Sequence, residues 1–178
     1  MSSLFNASAW FSASATEADF ERLYHTEQPR IYNFFRYRFG DGPIAEDLTS
    51  ETFEKAWKHR GKYKRDLSAF STWLFTIARR VSIDHLRKQH PEVSLDETRE
   101  FLTDAVNVED LAQRDADFQH LSHLLAHLAD RERELVALKY GASLTNRTIA
   151  GLTGLSESNV AVILHRVLQS LKNEWENS

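Results

Sequence analysis

From about residue 16 to residue 172, apolar residues recur mostly at intervals of three and four, and that spacing predicts helices along the chain. Thr16 and Asp19 mark a helix start, and Phe20, Leu23, Tyr24, Ile31, Phe34, Phe35 and Phe39 follow on one stripe. Pro29 is expected to kink or split this element. GDGP at 40–43 predicts a turn with Pro43 as a first helical residue. Ile44, Leu48, Phe53, Ala56 and Trp57 then mark a second helix ending near His59 and Gly61. The polar loop GKYKRD leads to a third helix from about Leu67 to Lys88, striped by Phe70, Trp73, Leu74, Ile77 and Val81.

The pattern lapses from Gln89 to about Asp110, where the chain is acidic and carries Pro91. It resumes with Leu111, Phe118, Leu121, Leu124, Leu125 and Leu128, and Asp130 is placed to cap a helix that closes at Gly141. Residues 145–172 then have helix-turn-helix spacing. Ala150 stands where two helices approach, Gly154 where the chain turns, and Ser156 where a cap is needed. Val160, Ile163, Leu164, Val167 and Leu171 give the last helix one apolar face, leaving its other face free for the major groove of DNA. No segment alternates as a strand does. The expected fold is all-α: a flexible tail (1–15), a helical domain (16–89), an acidic flexible linker (90–110) and a C-terminal helix-turn-helix domain (111–178).

Composition narrows the function. The chain contains no Cys, which excludes disulfides, thiolate metal sites and cysteine nucleophiles and fits a cytoplasmic location. No apolar run is long enough to span a membrane, so no membrane contact is expected, and the first fifteen residues lack the basic residues of a signal peptide. Phe5, Trp10 and Phe11 are the apolar points of that tail. The net charge of −4 is unusual for a DNA binder, but the charge is segregated. Residues 61–90 carry a local +5 and residues 91–119 a local −7.

AEDLTSETFEKAW (45–57) and FSTWLFTIARRVSIDHLRK (70–88) resemble the N-terminal core of bacterial extracytoplasmic-function (ECF) type RNA polymerase sigma factors, and residues 128–172 are similar to their C-terminal domain. The resemblance covers most of residues 18–172 in order. It implies a promoter-specificity subunit that binds core RNA polymerase, reads the minus-thirty-five element as duplex and captures unpaired bases of the minus-ten element. It also implies an anti-sigma partner and no cofactor.

Three groups of residues carry those expectations. Asp47, Glu51 and Lys55 follow i, i+4 spacing on one helix face, which by composition alone is a solvated face. The resemblance implies that this surface, with Leu48, Ser50 and Glu54, docks on the coiled-coil clamp of the polymerase's largest subunit. Ser50 stands where the family often has Gln.

The second group is Lys62, Tyr63, Lys64 and Arg65 in the loop, with Ser68, and Ser71, Arg79, Arg80, Asp84 and Arg87 on the third helix. Cations for the backbone and aromatic faces for bases suit single-strand capture. Phe70 and Trp73 fall on the apolar stripe and read as core. Arg80 stands where the family commonly has Asn. The third group is the recognition helix, expected to expose Ser156, Glu157, Ser158, Asn159, Ala161, Val162, His165 and Arg166. Asn159 suits adenine, Ser158 either base type, and Ala161 or Val162 a thymine methyl. Arg131, Arg133, Arg147, His165 and Arg166, with Thr148, are the phosphate-side candidates. Tethering on polymerase is expected to supply affinity that this near-neutral helix lacks.

The acidic linker reads as a solvated spacer, and the resemblance implies that it threads toward the RNA exit path. His120, His123 and His127 lie on one side of a helix, but lack a helper carboxylate at matching spacing; they read as solvent-facing, with no metal. Two other classes are weighed. A helix-turn-helix regulator acting without polymerase predicts tight independent duplex binding. An enzyme would need His-Glu-x-x-His, paired Glu-x-x-His or a phosphate-binding glycine loop, and none occurs.

Overall fold

Helical periodicity becomes seven α-helices, and no strand occurs among the described residues. The computed structural model describes residues 17–64, 68–89 and 109–177, with side chains from 20–64, 68–89 and 116–177. The N-terminal tail, Arg65 and most of the acidic linker lie outside the described residues. The N-terminal unit comprises α1 (Glu17–Phe39), α2 (Gly42–Lys58) and α3 (Phe70–Gln89). The C-terminal unit comprises α4 (Glu109–Ala126), α5 (Asp130–Val136), α6 (Asn146–Thr153) and α7 (Glu157–Glu176).

Pro29 neither ends nor divides α1, which runs unbroken through it. Pro29 and His25, the residue whose carbonyl loses its helical partner, are both exposed, so water can take the bond. Ile31, Phe34, Phe35, Arg38 and Phe39 form the buried stripe of α1. The start of α2 is set locally: the Asp41 side chain accepts from the Ile44 amide at 2.8 Å, and Pro43 occupies the first turn.

The expected cap at Asp130 does not form. Ala129 is the cap residue, with no side-chain bond, and Asp130 occupies the first helical position. Its carboxylate turns instead to Arg38, with Nη2 2.7 Å from Oδ1 and 2.8 Å from Oδ2. A long-range charged partner has outcompeted the local cap.

After α5 the chain widens into a π turn at Ala137–Gly141, closed by the Ala142 amide donating to the Ala137 carbonyl at 2.9 Å. This turn packs on the middle of α1. A Cβ at Gly141 would lie 2.7 Å from the Asn33 carbonyl oxygen, so backbone meets backbone and only glycine fits.

The two units share one core. Phe34, Phe35, Leu74 and Phe75 on one side are continuous with Leu125, Leu135, Leu138, Ile149 and Val160 on the other. Arginines reinforce the seam. Arg38, 2% exposed, donates through Nη1 to the Asp130 carbonyl at 2.7 Å and through Nε to Ser82 Oγ at 3.3 Å. Arg30 donates through Nε to the Ala142 carbonyl at 3.0 Å, while Glu27 and Ser71 hold its Nη1 at 2.8 and 3.0 Å. Between Ser122 and Arg133, under Tyr37 and Phe39, the seam leaves a pocket of only about 10 Å³.

A shared core predicts shared unfolding. Variants retaining only Trp73 or only Trp175 should report the same urea midpoint. Phe75→Ala should lower the stability seen by both by about 3–5 kcal/mol, the usual cost of emptying a buried phenylalanine site. Two separated midpoints would count against a common core.

Candidate nucleic-acid interface

The helix-turn-helix is built from local signals. The Thr145 side chain accepts from the Thr148 amide at 3.2 Å to start α6, and Gly154 ends it at φ 74, a left-handed conformation suited to glycine. The Ser156 side chain accepts from the Asn159 amide at 3.1 Å to start α7. Val160, Leu164, Val167 and Leu171 are buried beneath it, with Ile163 half-buried. Ser156, Glu157, Ser158, Asn159, Ala161, Val162, His165 and Arg166 are all exposed, Val162 by 62%. The free face is therefore small, polar and nearly uncharged. Arg131 and Arg147 are exposed beside it, and Thr148 is half-buried with its hydroxyl 2.9 Å from that of Thr145.

Arg133 departs from its expected role as a phosphate contact. It is 7% exposed, and its Nη2 donates to the Ala126 carbonyl and, at 3.3 Å, to that of Leu128. Burial, reinforced by the nearby Arg38 charge, lowers its pKa to about 10. It ties the α4–α5 turn together. Arg166 is exposed but not idle: its Nη2 lies 2.5 Å from Glu132 Oε1.

In the N-terminal unit, Lys62, Lys64, Arg80 and Arg87 are exposed. Positions 80, 84 and 87 share one side of α3, and Asp84 there lies 3.9 Å from Lys55 on α2. Thus the basic face of α3 adjoins the face of α2 where Asp47, Ser50 and Glu54 are exposed and Lys55 pairs with Glu51 at 2.7 Å. Leu48 does not join that surface; at 4% exposure it seats α2 in the core.

Tyr63 is also displaced from its expected role. Its ring is 8% exposed, 5.6 Å from Phe70 and 5.3 Å from Trp73, and its hydroxyl donates to the Ser68 carbonyl at 3.0 Å. A ring so enclosed has no free face on which a base can stack; it stiffens the loop carrying Lys62 and Lys64. Phe70 and Trp73 pack half-buried against the core. Ser71 is taken by Arg30 and Glu27, and Arg79 is taken by the C-terminal unit: its Nε donates to Glu134 Oε1 at 2.8 Å and its Nη1 to the Leu152 carbonyl.

The residue passed over in the sequence is Arg60, whose guanidinium lies 3.9 Å from the Trp57 ring centroid at the edge of the basic loop. Its place three residues after Trp57 in a helical frame was the available signal. The three histidines also differ from solvent-facing expectation in one case, because His120 packs edge-on against Trp175 at 4.4 Å. His123 and His127 face each other at 4.8 Å. Among the described residues no helix is long and apolar enough to cross a membrane.

Known proteins share this arrangement. The family model "Sigma-70 region 2" matches residues 23–92 and "Sigma-70, region 4" matches residues 118–171. The chain is 32% identical over 165 residues to the ECF RNA polymerase sigma factor BldN of Streptomyces coelicolor, covering 89% of this chain and 61% of that relative. It is 30% identical over 152 residues to the ECF sigma factor SigM of Bacillus subtilis, covering 85% and 92%. CarQ of Myxococcus xanthus, an RNA polymerase sigma factor, is 31% identical over 156 residues, covering 86% and 87%. The fold is similar to that of CnrH solved with the cytosolic domain of CnrY (TM-score 0.70, 18% identity, 92% and 91% covered). It is also similar to RpoE solved with the anti-sigma factor NepR from Bartonella quintana (TM-score 0.66, 20% identity, 89% and 97% covered).

A titratable group sits where these faces meet. His85 on α3 lies 5.0 Å from the Phe39 ring, and its Nε2 is 2.9 Å from the Gln89 amide nitrogen. Burial holds its pKa below the usual histidine value, with Lys88 adding to the effect and Glu51 opposing it. A depressed folded-state pKa means that the unfolded chain takes up the proton first, so this histidine lowers stability as pH falls through the ordinary histidine range near 6.5. His85→Gln should therefore shrink the loss of stability between about pH 7.5 and pH 5, read as urea midpoints at the two pH values. An unchanged loss would place its origin elsewhere.

Proposed function

Because the chain belongs to the ECF family of RNA polymerase sigma factors, we propose that it binds core RNA polymerase, directs it to specific promoters and helps open the DNA, with no catalysis of its own. The carrying observation is the pairing of two different exposed surfaces: a cationic one suited to backbone and single strand, and a near-neutral helix suited to the major groove. On this reading residues 16–89 and 111–178 act as separate readers joined through residues 90–110.

Lys62, Lys64, Arg80 and Arg87, with Arg60 beside them, hold the backbone of the displaced strand. Extruding a base costs a few kcal/mol, which a pocket must offset by stacking and hydrogen bonds. The partly exposed Trp57 under Arg60 supplies an aromatic surface for that purpose. Asp47, Ser50, Glu51, Glu54 and Lys55 meet the polymerase clamp, with Leu48 fixing their helix. Asn159, Ser158 and Val162 address base edges of the upstream element, and Arg131, Arg147 and His165 its phosphates. The protein works in the cytoplasm and is held inactive by an anti-sigma factor, as RpoE is bound by NepR.

Reconstitution tests this reading. Core polymerase with the chain should initiate from a matched promoter, and neither should do so alone. Reversing the charges of Lys62, Lys64, Arg80 and Arg87 should abolish strand opening, read by permanganate reactivity of unpaired thymines, while polymerase binding survives. Removing each backbone-holding cation should lower the salt slope of DNA binding by about one. A chain that forms no complex with core polymerase, or that binds a palindromic duplex tightly without it, would overturn the reading in favour of an ordinary helix-turn-helix regulator.

A further inference from the structure

Two imidazoles of the C-terminal unit face one another outside every surface assigned above. His123 lies in the last turn of α4 and His127 directly follows that helix, with ring centroids 4.8 Å apart and ring planes at 89°. A spacing of four residues puts both on one side of a helix. The chain keeps them there past the helix end, because the His127 and Leu128 amides donate to the Leu124 and Leu125 carbonyls, each at 3.2 Å. Arg133 closes the same turn from the inner side, donating to the Ala126 and Leu128 carbonyls. Among the described residues no other two histidine rings are in contact.

This pairing has the dimensions of a chelate. Two imidazoles on one ion, with metal–nitrogen bonds of about 2.0–2.1 Å, place their ring centres about 4.5 Å apart at a right angle. At a tetrahedral angle the separation is about 5.2 Å. The observed 4.8 Å lies between the two. Both side chains are exposed, so an ion has an open path in, and turning the rings to aim one nitrogen each leaves the core undisturbed.

The neighbours limit the donor set to those two nitrogens. The ring of His120 is set edge-on against Trp175 at 4.4 Å, and the Asp130 carboxylate is held by Arg38 at 2.7 and 2.8 Å. Remaining coordination positions fall to water. A pair of imidazoles with no carboxylate suits zinc, nickel and copper, whereas calcium and magnesium require oxygen ligands.

We propose that His123 and His127 form a chelating site for a late first-row divalent cation, and that the bound ion staples the end of α4 to the turn leading into α5. The site stands apart from promoter recognition, which neither requires it nor is required by it.

The test uses the full chain without a polyhistidine tag, near pH 7.5, where imidazoles are available as neutral ligands. Calorimetric titration should show uptake of one copper, nickel or zinc ion per chain, copper being bound most tightly, and no uptake of magnesium. His123→Asn and His127→Asn should each weaken binding on the order of tenfold or more, since loss of a mere outer-shell partner already costs that. His120→Asn should bind as the unsubstituted chain does. Zinc should raise the urea midpoint and slow hydrogen exchange at the His127 and Leu128 amides. Neither effect should survive in the double variant His123→Asn, His127→Asn, whose fold circular dichroism checks. Equal affinity in that double variant, no uptake of any of the three ions, or binding that leaves exchange at those amides unchanged would overturn the proposal.

Discussion

Three arginines crossing one seam hold the molecule in the form described. Arg30, Arg38 and Arg79 each leave the N-terminal unit and end on a backbone carbonyl of the C-terminal unit. Arg38 and Arg79 add a carboxylate, Asp130 and Glu134. A guanidinium suits this work because its planar donors can serve a carbonyl and a carboxylate together, which a lysine ammonium does less specifically. Such pairs are poor drivers of folding, but removing Asp130 would leave Arg38, 2% exposed, as a buried charge without its counterion, a situation that usually costs about 3–5 kcal/mol. They therefore set how the units meet, while the apolar core supplies the drive.

That division of labour shapes the functional surfaces. Neither unit is large, and each exposes one helix face that cannot be apolar if it is to meet DNA. The area lost to those faces is recovered at the seam, where Phe34, Phe35 and Phe75 meet Leu135, Leu138 and Ile149. The same economy draws Ser71 and Arg79 into the seam and away from the basic surface. Lys62, Lys64, Arg80 and Arg87 stay outside the seam and exposed. Cation chemistry is thus split between gripping the protein itself and remaining available to a polyanion.

Much of the fold was legible because its signals are local. The apolar stripes of α1, α2, α3 and α7, the cap at Ser156, the placement of Pro43 in the first turn of α2, and the left-handed Gly154 all depend on residues within one or two turns. The failures share one cause. Asp130 obeys the capping rule on paper, yet Arg38, far away in sequence, takes its carboxylate. Arg133 looks like a surface cation until the chain folds back and two carbonyls close on it. Tyr63 belongs to a basic, aromatic loop by composition, but Phe70 and Trp73 enclose its ring. Arg79 sits among basic neighbours, and nothing near it in sequence hints at Glu134. The candidate surfaces were legible as residue types at helical spacing. Which members of each set remain available was not.

An all-helical chain, two helical units separated by an acidic stretch, and a helix-turn-helix with a polar, weakly charged outer face are written in the local pattern of residues. Those properties follow from periodicity, capping and composition, which act over a few residues. That the units share a core, that Gly141 must remain glycine, and that Arg79 answers to a carboxylate emerges only once the chain is folded. These are contacts between residues scores of positions apart, and their energies depend on burial and on two surfaces arriving in register, which no short stretch of sequence records.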